Sequence, residues 1–206
     1  MKRPTRLDYT LVAEGYAEYT FIPIYLRIMA ERQGIQLVRS KLGFKGGDAG
    51  KTRVLKEVSS IFTSALTSGN QLLIAGVDLD TADHDKNQPK HEEQCRTLIN
   101  SFGKTINGKA AILHFVPVQA IEQWIAYQAY RAIRSDQYSA NSLERISQKE
   151  LKKLLYKGRS DGAAMELIAE KIALVADYDE LANQSRSFEH FHNQVRSFLE
   201  TFAASN

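Results

Sequence analysis

Residues 71–80, QLLIAGVDLD, form an apolar run that stops abruptly on two aspartates with a single residue between them. An apolar run of this length closed by polar residues reads as a strand buried on both faces. Successive side chains of an extended chain alternate, so this spacing predicts Asp78 and Asp80 with both carboxylates on one side. Two like charges held together need a shared proton or a divalent cation between them. Taken alone, the pair is read equally well as caps or solvated residues after a strand.

The segments around this run alternate in period. Tyr9 to Ala13 is a short strand candidate that stops at Glu14-Gly15. Apolar positions Phe21, Ile24, Tyr25, Ile28 and Met29 then recur at helical spacing. Pro23 fits that helix only near its start and otherwise predicts a kink. Ile35 to Arg39 is a second strand candidate, followed by the loop GFKGGDAGKT and a helix through Val54, Val58, Phe62 and Leu66. After Asp80 comes a polar stretch, then a helix over about 89–102 with Pro89 at its start. Ala110 to Val116 is the fourth strand candidate and residues 119–133 the fourth helix. This order predicts an α/β class protein: a largely parallel sheet of about four strands flanked by helices. Beyond about residue 134 strand signals vanish. Ser147 to Glu150 fits a capping box, Asp161 fits a helix cap, and Phe188, Phe191, Val195, Phe198, Leu199 and Phe202 make a final helical stripe. The expected division is an α/β domain over 1–135 and a helical extension over 136–206 packed on it.

Composition narrows the function classes. The chain has 206 residues and a formal net charge of +3, which permits a nucleic-acid partner without requiring one. Cys95 is the only cysteine, so no internal disulfide can form and a reducing compartment is expected. The opening MKRPTRLDYT carries no apolar segment of the secretory type, and no run approaches the roughly 18 apolar residues of a membrane span. A cytoplasmic protein without a membrane partner is expected.

If the sheet is parallel, Glu14, Asp78 and Asp80 share its carboxyl edge, where open α/β sheets hold ligands. Three oxygen donors, waters and a substrate phosphate suit Mg²⁺, or Mn²⁺ in its place. Such a site activates water and neutralises charge on a phosphodiester. Glu122, in AIEQW, stands open between an exposed helix residue and a fourth acid for a second ion. Trp124 reads as a packing residue. Lys149, Lys152 and Lys153 read first as a solvated helix face and second as phosphate contacts.

The apolar strand leading into VAEGYAE, with a later strand ending in D-x-D, resembles the TOPRIM domains of topoisomerases, bacterial primases and OLD-type nucleases. The stretches PVQAIEQW and SRSFEHF are similar to small stand-alone TOPRIM-like proteins linked with phage-defence loci. The resemblance covers roughly residues 7–135, more loosely the remainder. It implies a Mg²⁺ site at Glu14, Asp78 and Asp80 and phosphodiester chemistry, with Glu14 doubling as general base. A glycine that often follows D-x-D in that family is not matched, since Thr81, Ala82 and Asp83 stand there. No tyrosine-nucleophile domain accompanies the chain, so the implied reaction is hydrolysis of DNA or RNA. A separately encoded ATPase is the partner the family implies, and a homo-oligomer is open. The alternatives are a non-catalytic TOPRIM-like regulatory subunit and a metal-dependent phosphatase.

Other motifs lead elsewhere. GGDAGKT lacks P-loop spacing, because Gly46 and Gly50 enclose three residues where four are needed. Lys45, Lys51 and Arg53 in that loop remain the expected phosphate contacts. VDLDT is similar to the haloacid-dehalogenase motif, but Ala82 stands where threonine or valine belongs. Glycosyltransferases also use D-x-D after an apolar strand, and this chain is small for one. His84, His91, His190 and His192 lack zinc-site spacing and are expected on the surface.

Overall fold

The computed structural model describes residues 4–44, 49–85, 87–103, 110–134, 141–157 and 161–205. Strands β1 (Thr5–Val12), β2 (Ile35–Arg39), β3 (Leu72–Gly76) and β4 (Ala111–Phe115) form one sheet in the order β2-β1-β3-β4, every pair parallel. The α/β expectation holds. From β1 the chain moves outward to β2, then returns across β1 to β3. The switch point of the sheet therefore lies between the carboxyl ends of β1 and β3, where such sheets open a crevice.

Strand alternation sends side chains into two apolar layers. Leu7, Tyr9 and Leu11 of β1 and Leu72 and Ile74 of β3 face helix α1 (Tyr16–Glu31) and the later helices. Val12, Leu73 and Ala75 face α2 (Gly50–Thr67) and α3 (Pro89–Ser101). All five residues of β3 are buried, the condition that its uninterrupted apolar sequence anticipates.

Helix α1 begins before Pro23, so the proline sits inside it and Tyr19 loses its intrahelical amide partner. The Arg39 guanidinium fills that role, donating to the Tyr19 carbonyl at 3.3 Å while its plane lies 4.8 Å from the Tyr19 ring centroid.

The later helices are α4 (Glu122–Arg134), α5 (Gln148–Tyr156), α6 (Gly162–Val175), α7 (Tyr178–Gln184) and α8 (Arg186–Ala204). Both expected caps form: Ser147 and Glu150 close a capping box on α5, and Asp161 accepts from the Ala164 amide at α6. The extension shares its core with the sheet, because Trp124, Tyr178, Phe188 and Phe191 cluster with Tyr25 and Phe115. Trp124 is a packing residue, as read from the sequence, and its indole donates to Ser187 Oγ at 3.0 Å. The same oxygen accepts from the Val118 amide at 3.4 Å. Ser187→Ala would leave two buried donors without that acceptor and is expected to cost about 1–3 kcal/mol, read as a lower urea midpoint. Among the described residues, no helix is long and apolar enough to cross a membrane.

Candidate functional site

The crevice at the switch point is acidic. Glu14 follows β1, and its carbonyl accepts from the Ala49 amide at 2.8 Å, which fixes the start of α2 beside it. Its side chain turns to the neighbouring strand end, where Oε1 accepts from the Asp78 amide at 2.8 Å. Asp78 is buried and points inward. Its Oδ1 accepts from the Ile121 amide at 3.1 Å, and Gln148 Nε2 reaches Oδ2 at 3.5 Å. Glu18, one turn beyond Glu14 on α1, and Glu122, the first residue of α4, are also buried. Glu122 Oε1 accepts from the Tyr156 hydroxyl at 3.1 Å and lies 3.9 Å from Lys152 Nζ. Glu14, Glu18, Asp78, Glu122, Gln148 and Lys152 line a cavity of about 290 Å³.

Burial and mutual repulsion set the electrostatics. Glu18 is pushed up to about 8, first by loss of solvent and then by the charge of Glu122. Asp78 is raised well above the usual carboxylate range by burial, with Glu18, Glu122 and Glu14 adding to it. Burial raises Glu14 too, against the pull of the Asp78 amide, and it raises Glu122 against the pull of Lys152. All four carboxylates are shifted toward the protonated form, so Lys51 and Lys152 supply too little compensating charge. A divalent cation would supply it.

The donor set fits Mg²⁺, being all hard oxygen. The carboxylates ring the cavity more loosely than a dry three-ligand cage. No three of them bring their oxygens within 4.8 Å of one another. Oxygens bound to one Mg²⁺ at about 2.0–2.1 Å lie within about 4.2 Å of one another, so an ion here would contact at most two of the carboxylates directly and reach the others through its waters.

The D-x-D geometry departs from its expectation. β3 ends at Gly76, so Asp78 and Asp80 lie beyond the strand and do not share a face. Val77, Leu79 and Asp80 instead donate to the carbonyls of Phe115, Pro117 and Gln119, continuing the pairing into the loops. Asp80 takes a left-handed φ of 62° and turns outward, where its carboxylate meets Lys51 Nζ at 2.6 Å. It stays close enough to raise Glu14 through its charge.

Of the expected phosphate contacts, Lys152 lines the cavity and Lys51 flanks it through Asp80. Arg53 pairs with Glu57 at 3.1 Å and lies over the Phe44 ring, and Lys149 is exposed on α5. Lys45 lies outside the described residues. Glu18 was not foreseen, because it stands in the first turn of α1 as an ordinary polar helix residue would.

The surface expectation fails for two histidines. His91 and His192 are buried, the latter accepting or donating at 3.0 Å with the Tyr25 hydroxyl. Helix packing between distant segments covers them, which local spacing does not register. Compared with family models, curated proteins and solved structures, the chain matches none of them significantly.

Proposed function

We propose that the chain is a Mg²⁺-dependent hydrolase of nucleic-acid phosphodiester bonds. The observation that carries this reading is the convergence of Glu14, Glu18, Asp78 and Glu122 on one cavity at the sheet's switch point. At most two of Glu14, Asp78 and Glu18 would hold the ion directly, the others reaching it through its waters, and Glu122 would hold a second or orient bound water. When bound, Mg²⁺ would lower the barrier to water attack and neutralise charge on the phosphate. Asp78 is held rigidly for this by the Ile121 amide and Gln148. Lys152, on the cavity wall, would meet a phosphate oxygen, and the exposed Lys149 would add positive charge nearby on α5. Glu14 is the candidate general base, because it lines the cavity where bound water would be activated. The TOPRIM resemblance supports the same reading and adds a separately encoded ATPase as a proposed partner.

The test is cleavage of single- and double-stranded DNA and RNA with Mg²⁺ or Mn²⁺. Asp78→Asn keeps an acceptor for the Ile121 amide and should fold normally. It is expected to cut at least about 100-fold more slowly. Retained metal binding with no polynucleotide cleaved by the parent would select the regulatory subunit instead. Turnover confined to small phosphomonoesters would select a phosphatase.

A further inference from the structure

A second set of metal-ligating side chains lies away from the acidic crevice, where α3 and α8 meet the outer edge of β4. Cys95 comes from α3, His114 from β4 and His190 from α8. One ligand atom from each lies within 4.8 Å of the others. The Nε2 atoms of His114 and His190 stand 3.3 Å apart. Two nitrogens bound to one tetrahedral ion at about 2.0–2.1 Å are separated by about 3.3 Å, so this edge is already at its metal-bound length. Gln194 holds it there. Its side chain bridges both backbone groups of His114, at 3.1 Å and 3.0 Å, and reaches the His190 carbonyl at 3.3 Å. The same amide thereby covers the open edge of β4.

We propose that Cys95 Sγ and the Nε2 atoms of His114 and His190 bind one ion of the Zn²⁺ class, joining α3, β4 and α8. One thiolate and two imidazoles are softer donors than Mg²⁺ takes and match a zinc site with three protein ligands. All three side chains line a cavity of about 610 Å³, from which water or an exogenous ligand would take the fourth position. His91, one turn before Cys95, stands edge-on to His190 with ring centroids 5.7 Å apart, and its ring is oriented by the Val116 carbonyl. A thiol and an imidazole ligate only through atoms that carry no proton, so ion binding should tighten as pH rises. The competing state is a hydrogen bond between the two imidazoles, with Cys95 Sγ in contact with His91 Nε2 at 3.8 Å.

Titration of the chelator-treated full chain with Co²⁺ distinguishes the two. One equivalent should bind with a thiolate-to-metal charge-transfer band and the intense visible absorption of a tetrahedral site, and one equivalent of Zn²⁺ should erase both. His190→Ala alters an exposed residue and should fold. It is expected to weaken Zn²⁺ binding by about 100-fold or more. Cys95→Ser should abolish the charge-transfer band. Absence of that band in the parent, or Zn²⁺ affinity unchanged in His190→Ala, would each overturn the assignment.

Discussion

Glu18→Gln is expected to make the protein more stable at pH 8 and, in the same variant, slow metal-dependent cleavage by at least about 100-fold. The two effects share one cause. Glu18 is fully enclosed among Glu14, Asp78 and Glu122, and it is pushed up to about 8 from an ordinary value near 4.5. Between those two pH values the folded chain keeps a proton that the unfolded chain has released. Stability must then fall as pH rises through this window, at up to about 1.4 kcal/mol per pH unit for each such proton. Asp78, Glu14 and Glu122 are shifted in the same direction and steepen the slope. Glutamine has no proton to lose, so the variant's profile should be flatter and should lie above the parent's at pH 8. Mg²⁺ should restore the parent by mass action, by about 2.7 kcal/mol at a concentration 100 times its dissociation constant. The variant should gain much less. Urea unfolding at pH 5, 7 and 8.5, with and without Mg²⁺, reads all of this. Parallel pH profiles for parent and variant would show that Glu18 is not held protonated, and would remove the electrostatic case for a cation there. Burying four carboxylates around one cavity lowers stability, and a bound cation is the compensation the arrangement calls for.

The parts of this site that follow from local sequence were legible, and the parts set by distant packing were not. Apolar runs and helical spacing gave the parallel α/β layers, and the end of an apolar strand located Glu14 and Asp78 at the switch point. Ser147 and Asp161 announced their helices because a cap acts within one turn. Asp80 misled because period-2 reasoning carried the strand through VDLD, although aspartate also favours turns and tolerates the left-handed region. Its left-handed φ is imposed by pairing with the loop after β4, about forty residues away along the chain, through the Asp80 amide and the Gln119 carbonyl. Glu18 reads locally as an ordinary polar helix residue. It is buried because α4 and α5 bring Glu122, Gln148 and Lys152 over it. The cysteine–histidine cluster joins residues 95, 114 and 190, and no short motif spans such separations.

Gly76→Ala is the substitution expected to damage the fold most for the fewest atoms added. Gly76 closes β3 directly opposite Phe115 on β4, and its conformation would accept alanine without backbone strain. Space is what it lacks: a Cβ there would fall 2.0 Å from two atoms of the Phe115 ring. That ring is buried, with Phe191 at 5.2 Å and Trp124 at 6.1 Å between centroids, so it cannot swing aside without displacing them. Overpacking of this kind costs about 1–3 kcal/mol where neighbours can yield, and here the loss is expected at about 3 kcal/mol or above. Phe115→Leu alone should cost less, about 1–2 kcal/mol. Combined with Gly76→Ala it should relieve the clash, so the double variant should be more stable than the sum of the single losses by at least about 1 kcal/mol. Additive losses in urea unfolding would mean that the two residues do not meet. The consequence extends to the site, because the loops that continue from these two residues carry Asp78 and Ile121 into contact. Prising β3 from β4 at Gly76 should therefore weaken Mg²⁺ binding even in molecules that remain folded, and Phe115→Leu in the same chain should recover part of it.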